Sequence, residues 1–485
     1  MAAIAGVLGP APPDLAETML QALHHRGPDT LRLHRDEPFQ GGVRAAELSN
    51  VRGDGFAQEG RLTVLLDGDI YNARAAGESD AEVALGLYKK HGRTFAAYLE
   101  GVFAGAVHDG GKLLLARDGV GVRPLYWGTT GGGGLCFASE MKALVGISDD
   151  VRELPPATTY SSETHLAGYL AQHPPVSVPE TLAEGAGALR ECLTAAVQRR
   201  LEDGAVGACL LSGGLDSSII AAVAHELGGD VPLITVGMAG APDLENARIV
   251  AEHLGMEHHV LLYDAEQIRE SVPRAVWMLE SFDEDCVSGA ISNLFASAKA
   301  REFTNCILSG EGGDELFGGY HLLKDLPTDA ERLRMMQRLI EIAYNTAVQR
   351  LDRAMMGNGI HYRTPFIDTE VIALALHLPV RWKIHRAEDG RAIEKYILRE
   401  AFKDLLPEVI CRREKLRFSA GTGTDGLMDE VAGHAGASEL DETSRRTGEG
   451  YTLSSPKELW YYRLFKERFP AACFERLVGR WDPGK

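Results

Sequence analysis

Residues 210–218, Leu-Leu-Ser-Gly-Gly-Leu-Asp-Ser-Ser, restrict what this chain can fold into more than any other stretch. An apolar, strand-like run at 206–211 leads into them, and an apolar helical run at 219–227 follows, closed by Gly228 and Gly229. A strand that turns through glycines into a helix is built to hold an anion. Gly213 and Gly214 let the backbone approach a phosphate, the amides at the helix start donate to its oxygens, and Ser212, Ser217 and Ser218 add hydroxyls. Asp216 needs a separate reason, because a carboxylate among phosphates is repulsive unless a cation lies between them; the expected cation is Mg²⁺. The loop lacks the Gly-Lys-Ser/Thr ending of the Walker A motif, so nothing in it favours a kinase or a GTPase.

The surrounding pattern predicts a parallel sheet. A helix at 185–200, a strand at 232–237 and a helix at 242–254 closed by Gly255 alternate with the first strand, which implies right-handed crossovers. A second loop, residues 308–320, follows a short strand at 306–308 and holds three acids and five glycines. Such a stretch cannot pack into a core, because glycine has no side chain and unpaired carboxylates do not bury. Asp314 is the candidate for a second Mg²⁺ ligand, and Glu311 for a general base if its surroundings raise its pKa. Residues 1–150 read differently: short β-like stretches at 4–8, 62–66, 102–108, 112–116 and 135–138, with one helix near 81–90, predict a sheet-based domain. The likeliest junction lies at 161–179, which contains Pro174 and Pro175, and beyond 325 the pattern is mostly helical.

Composition narrows the partners. Fifty Lys and Arg against 69 Asp and Glu leave a net charge of −19, repulsive toward nucleic acid and anionic membranes. The seven cysteines are odd in number and never form a Cys-x-x-Cys pair, which argues against disulfides and structural zinc. With no signal-like N-terminus and no apolar run of ~18 residues, the expected location is the cytoplasm.

Together these motifs resemble the asparagine synthetase B family over nearly the whole chain. Residues 212–218 are similar to its pyrophosphate loop, 235–259 to the strand and helix beyond it, 309–320 to Ser-Gly-Glu-Gly-x-Asp-Glu-x-Phe-Gly-Gly-Tyr, 362–368 to Ala-Arg-Val-Pro-Phe-Leu-Asp, and 394–400 to Glu-Lys-x-Ile-Leu-Arg-Glu. The resemblance implies an α+β N-terminal-nucleophile-hydrolase-like sandwich, residues 1–160, followed at 161–485 by an α/β synthetase domain of the adenine-nucleotide α-hydrolase (PP-loop) type with a helical C-terminal part. It further implies that Leu210, Ser212, Gly213, Gly214, Asp216, Ser217, Val236, Ser309 and Gly310 bind ATP and pyrophosphate, and that Asp216 and Asp314 hold Mg²⁺. Glu311 then deprotonates the amine, and Lys415 neutralises charge on the adenylate and transition state.

The chain also departs from the family. The glutaminase scaffold is present, but its catalytic cysteine after the initiator methionine is Ala2 here. The glutamine-binding Asn-Gly-Glu has become Asp67-Gly-Asp69, a family arginine appears as Glu47, and Asp80 remains at its usual place. In the synthetase half, the aspartate-handling Thr-Thr-Ile-Arg run reads Asp285-Cys-Val-Ser288, so the expected acceptor pocket involves Asp283, Ser288 and an arginine such as Arg363 or Arg391. β-Lactam synthetases share the architecture and a dead glutaminase domain, yet carry tyrosine where this chain has Glu311. The expected function is therefore an AMP-forming, ATP- and Mg²⁺-dependent amide ligase, suited to a specialised pathway such as antibiotic biosynthesis. Its partners are a small carboxylic acid and an amine or ammonia, with no nucleic acid and no membrane, and a homodimer is compatible with the chain. The alternatives are an ammonia-dependent asparagine synthetase, an intramolecular lactam or lasso-type cyclase, and a catalytically silent regulatory homologue.

Overall fold

The computed structural model describes residues 2–46, 53–163, 165–171, 178–434 and 445–481. Its N-terminal part is a sandwich of two six-stranded antiparallel sheets. One runs, in spatial order, Arg152–Glu153, Tyr126–Thr129, Leu135–Ala138, Ala2–Leu8, Phe39–Ala45 and Thr30–Asp36; the other runs His165–Gly168, Thr158–Ser161, Lys112–Arg117, Gly101–Asp109, Leu62–Ile70 and Phe56–Glu59. Ile4, Phe39, Leu65, Ala104, Leu115 and Phe137 fill the space between them. Five of these strands and the helix Asp80–His91 were predicted. Strands Thr30–Asp36 and Phe39–Ala45 were not, because the first has only Leu31 and Leu33 as apolar residues before the polar run His34-Arg35-Asp36, and Gly41-Gly42 reads as a turn. In the sheet those glycines answer a packing need: a Cβ on Gly42 would lie 2.2 Å from the carbonyl oxygen of Arg32.

The second part is a five-stranded parallel sheet in the order His258–Leu262, Leu233–Gly237, Ala208–Leu210, Cys306–Leu308, His361–Arg363. Numbering these strands one to five by sequence gives the order 3-2-1-4-5. The direction of winding therefore reverses between Ala208–Leu210 and Cys306–Leu308, and a cleft opens beyond the carboxyl ends of that neighbouring pair. Helix Pro242–Leu254 has the predicted bounds, with proline in its first turn and Gly255 in the left-handed region at its end. Helix Leu215–Glu226 begins four residues earlier than expected, so Asp216, Ser217 and Ser218 belong to its first turn and only 211–214 are loop. The expected junction falls on residues partly outside those described. Among the described residues no helix is long and apolar enough to cross a membrane.

Candidate active site

Both predicted loops meet in this cleft, which has a volume of about 290 Å³ and is lined by Leu210, Ser212, Gly214, Val236, Ser309 and Gly310 among others. The first loop is braced by its own serines. Ser217 Oγ accepts from the Ser212 amide at 3.1 Å and lies 2.9 Å from Ser212 Oγ, and Ser218 Oγ donates to the Gly214 carbonyl at 2.7 Å. Gly213 has φ +70°, and a Cβ there would stand 2.6 Å from both the Asp243 carbonyl oxygen and the Ala247 nitrogen, so only glycine fits. At the other loop, a Cβ on Gly310 would lie 2.6 Å from the Ser217 nitrogen: the loops touch backbone to backbone.

Four charged groups converge where they touch. Lys395 Nζ is ion-paired with Asp216 and lies 2.6 Å from Asp314 Oδ1, while Lys415 Nζ donates to Asp314 Oδ2 at 2.6 Å. Gly313 and Gly319 make room for these carboxylates, since a Cβ would stand 2.6 Å from Asp216 Cγ and 1.9 Å from Asp314 Oδ1 respectively. Burial pushes the Asp216 carboxyl up against the opposing pull of Lys395. Burial acts on Asp314 too, but Lys395 and Lys415 outweigh it and hold that carboxyl below its usual range. Lys415 is correspondingly raised, its desolvation overcome by Asp314 and Asp216. Sequence reasoning assigned no role to Lys395, although it sits in the quoted 394–400 motif. Its backbone is left-handed, φ +55°, an uncommon state for a residue with a Cβ, and it is 2% exposed.

Glu311 lines the same cleft and accepts from Arg350 Nη2 at 3.0 Å. Burial raises its carboxyl, with Arg350 opposing. Arg350, from helix Ala347–Met356, lines the cleft together with Arg399, Arg413 and Arg417. Gly289 admits it, because a Cβ there would come within 2.7 Å of Arg350 Cδ. The expected acceptor residues sit elsewhere. Ser288 is buried in helix Glu284–Ala300, whose first turn presents Asp285 and Cys286 to the cleft instead. Asp283 caps that helix, accepting from the Cys286 amide at 3.0 Å. Arg363 is turned away from the cleft: its guanidinium pairs with Asp203 at 2.6 Å and reaches Asp69 at 3.4 Å, since a buried arginine at a strand end must find carboxylates wherever they lie. Arg391 is exposed and pairs with Asp389.

The residues that the resemblance assigns to a glutamine site are engaged by the protein's own charges. The Ala2 amide donates to Asp67 Oδ1 at 3.3 Å. Asp67 Oδ2 pairs with Arg26 at 2.8 Å, and the same guanidinium reaches Glu140 at 2.9 Å and Asp352 at 2.6 Å, so the group ties the sandwich to helix Ala347–Met356. Asp69 pairs with His361 at 2.7 Å, Arg363 at 3.4 Å and Arg123 at 3.5 Å. Burial drives His361 down to about 4, so the ring is neutral at neutral pH. Asp80 pairs with Arg74 at 2.6 Å, and burial pushes its carboxyl up to about 6. Glu47 lies outside the described residues.

Residues 188–335 and 324–472 match the family described as asparagine synthase, and residues 1–200 match the glutamine amidotransferase domain. Curated relatives include asparagine synthetase (glutamine-hydrolyzing) 2 of Arabidopsis thaliana, 32% identical over 94% of this chain and 84% of the relative. Another is asparagine synthetase (glutamine-hydrolyzing) of Zea mays, 30% identical over 100% of this chain and 89% of the relative.

Proposed function

The chain belongs to the asparagine synthase family of ATP-dependent amide-forming ligases, and we propose that it joins a carboxylic acid to an amine through an acyl-adenylate, with an amine its own glutaminase-like half does not supply. One observation carries the second part: Asp80, the carboxylate that the resemblance assigns to glutamine binding, is already paired with Arg74, and residue 2 is an alanine that offers no nucleophile. A glutamine would have to displace an internal guanidinium to enter. Free ammonia or a separate amine fits this arrangement, and a specialised biosynthetic pathway is the setting we infer from it. The seven unpaired cysteines suit a reducing, cytoplasmic compartment.

The chemistry follows from the groups in the cleft. A carboxylate is a poor electrophile because oxide would have to leave; adenylation makes AMP the leaving group and releases pyrophosphate. The amides at the start of helix Leu215–Glu226 and the ends of the two strands cradle the phosphates. Asp216 Oδ1 is buried without a hydrogen-bond partner, and both aspartates gather around one ammonium, so this pair fits a divalent cation. Asp216 and Asp314 would hold Mg²⁺, which supplies charge neutralisation to the phosphates when bound. Glu311, raised by burial, takes the proton of the attacking amine, and Lys415 stabilises the developing oxyanion or the departing AMP.

Product analysis tests this reading. Incubation with ATP, an acid panel and ammonium should give AMP and pyrophosphate in equal amounts, and glutamine should not replace ammonium. Stoichiometric ADP and phosphate, or glutamate release from glutamine, would overturn it.

A further inference from the structure

We infer that the C-terminal strap, residues 479–481, is a specificity-determining wall of the acid-binding side of the cleft, with Trp481 selecting an acid that carries an aromatic or apolar side chain. This rests on the ligase reading above.

The strap is fixed in place by three separate anchors. Gly479 passes so close to the backbone that a Cβ would lie 2.0 Å from the Asn345 carbonyl oxygen, so no larger residue could follow this path. Arg480 pairs with Glu458, lies 3.7 Å from Asp283 and stacks 5.3 Å over the Phe282 ring. The Trp481 amide donates to Asp283 Oδ2 at 3.0 Å, while Asp283 Oδ1 caps the helix that begins at Glu284. Asp283 therefore ties the strap to the helix that presents Asp285 and Cys286 to the cleft. It positions the pocket without lining it.

With its backbone held in this way, the Trp481 indole lines the cleft, 5.0 Å from the Tyr320 ring and tilted 39° to it. Tyr320 lines the cleft, as do Ala347 and Arg350 of the helix that pairs with Glu311. A paired indole and phenol present apolar faces with negative quadrupoles, which welcome an aryl or alkyl group and repel a carboxylate. The cations nearby are already engaged: Arg350 with Glu311, Lys415 with Asp314 and Arg417 with Asp285 at 3.2 Å. A second carboxylate on the acid, as in aspartate, would have to break one of these pairs, whereas an aromatic side chain would meet a ready surface.

ATP–pyrophosphate exchange with L-phenylalanine, phenylacetate and L-aspartate tests this on the full-length protein and on Trp481→Ala and Trp481→Phe. The expected result is exchange supported by an aryl acid in preference to aspartate. Trp481→Ala should raise KM for that acid by about tenfold or more with KM for ATP unchanged, and Trp481→Phe should recover most of the loss. A merely structural strap would move both KM values together. An unchanged aryl-acid KM in Trp481→Ala, or exchange with aspartate alone, overturns the inference and leaves the ligase reading standing. Absence of exchange with every acid overturns both.

Discussion

Lys395 sets its ammonium 2.6 Å from Asp314 Oδ1 while also paired with Asp216, so one lysine spans the two carboxylates that the paired loops bring face to face. Lys395→Met leaves them opposed with only Lys415 nearby, and breaking a buried pair in this way costs about 3–5 kcal/mol. A lower melting temperature is expected, with MgCl₂ restoring more of it in the variant than in the wild type. Equal shifts on MgCl₂ addition in the two proteins would show that the aspartates do not hold the cation.

Glu311→Gln keeps the shape of the cleft but removes the base. Acid-dependent pyrophosphate exchange should survive, while amide formation falls by roughly 10²–10⁴-fold. Equal loss of both activities in a rapid-quench comparison would contradict the assigned role.

Arg350 lies 3.0 Å from Glu311 and opposes the upward shift that burial imposes on it. Removing that positive charge in Arg350→Met makes the carboxylate harder to form, so the acid limb of the kcat profile for amide formation should move to higher pH. An unmoved limb would mean that Glu311 does not carry the titration.

Restoring the nucleophile alone should not restore glutamine hydrolysis. In Ala2→Cys, Asp67 stays paired with Arg26, Asp69 with Arg363 and Arg123, and Asp80 with Arg74; misplacement of a substrate alone can cost about 10²-fold. Glutamate release is the readout, and a rate raised sharply by Ala2→Cys with no second change would show an intact site.

His361 offers a pH test of the buried network. Its folded pKa, about 4, lies below the ordinary value of 6.5, so the unfolded chain binds the extra proton between the two. Stability from this residue is full above pH 6.5 and is lost as pH falls toward 4, a contribution on the order of 1–3 kcal/mol. Urea unfolding from pH 7 to 4.5 should show a shallower decline in His361→Asn than in the wild type.

The phosphate-binding half was legible in the residues themselves. Glycines at 213, 214 and 310 and the carboxylates at 216, 311 and 314 are of a kind that only a tight turn beside an anion and a cation requires, and strands such as Cys306–Leu308 and Leu135–Ala138 carry apolar runs bounded by small polar residues or glycine. Polar or glycine-rich strands such as Phe39–Ala45 were silent, because what makes them strands is the neighbour they pair with. The same holds for the charges. Nothing local distinguishes Arg350, which enters the cleft, from Arg363, which turns to Asp203, or marks Lys395 as the bridge between two loops 98 residues apart from Asp216 to Asp314. The chain alone determined which chemistry could occur, since residue types and turn geometry are local properties. Only the tertiary structure decided which cation serves which carboxylate, because a buried charge takes its partner from whichever element packing brings within a few ångströms.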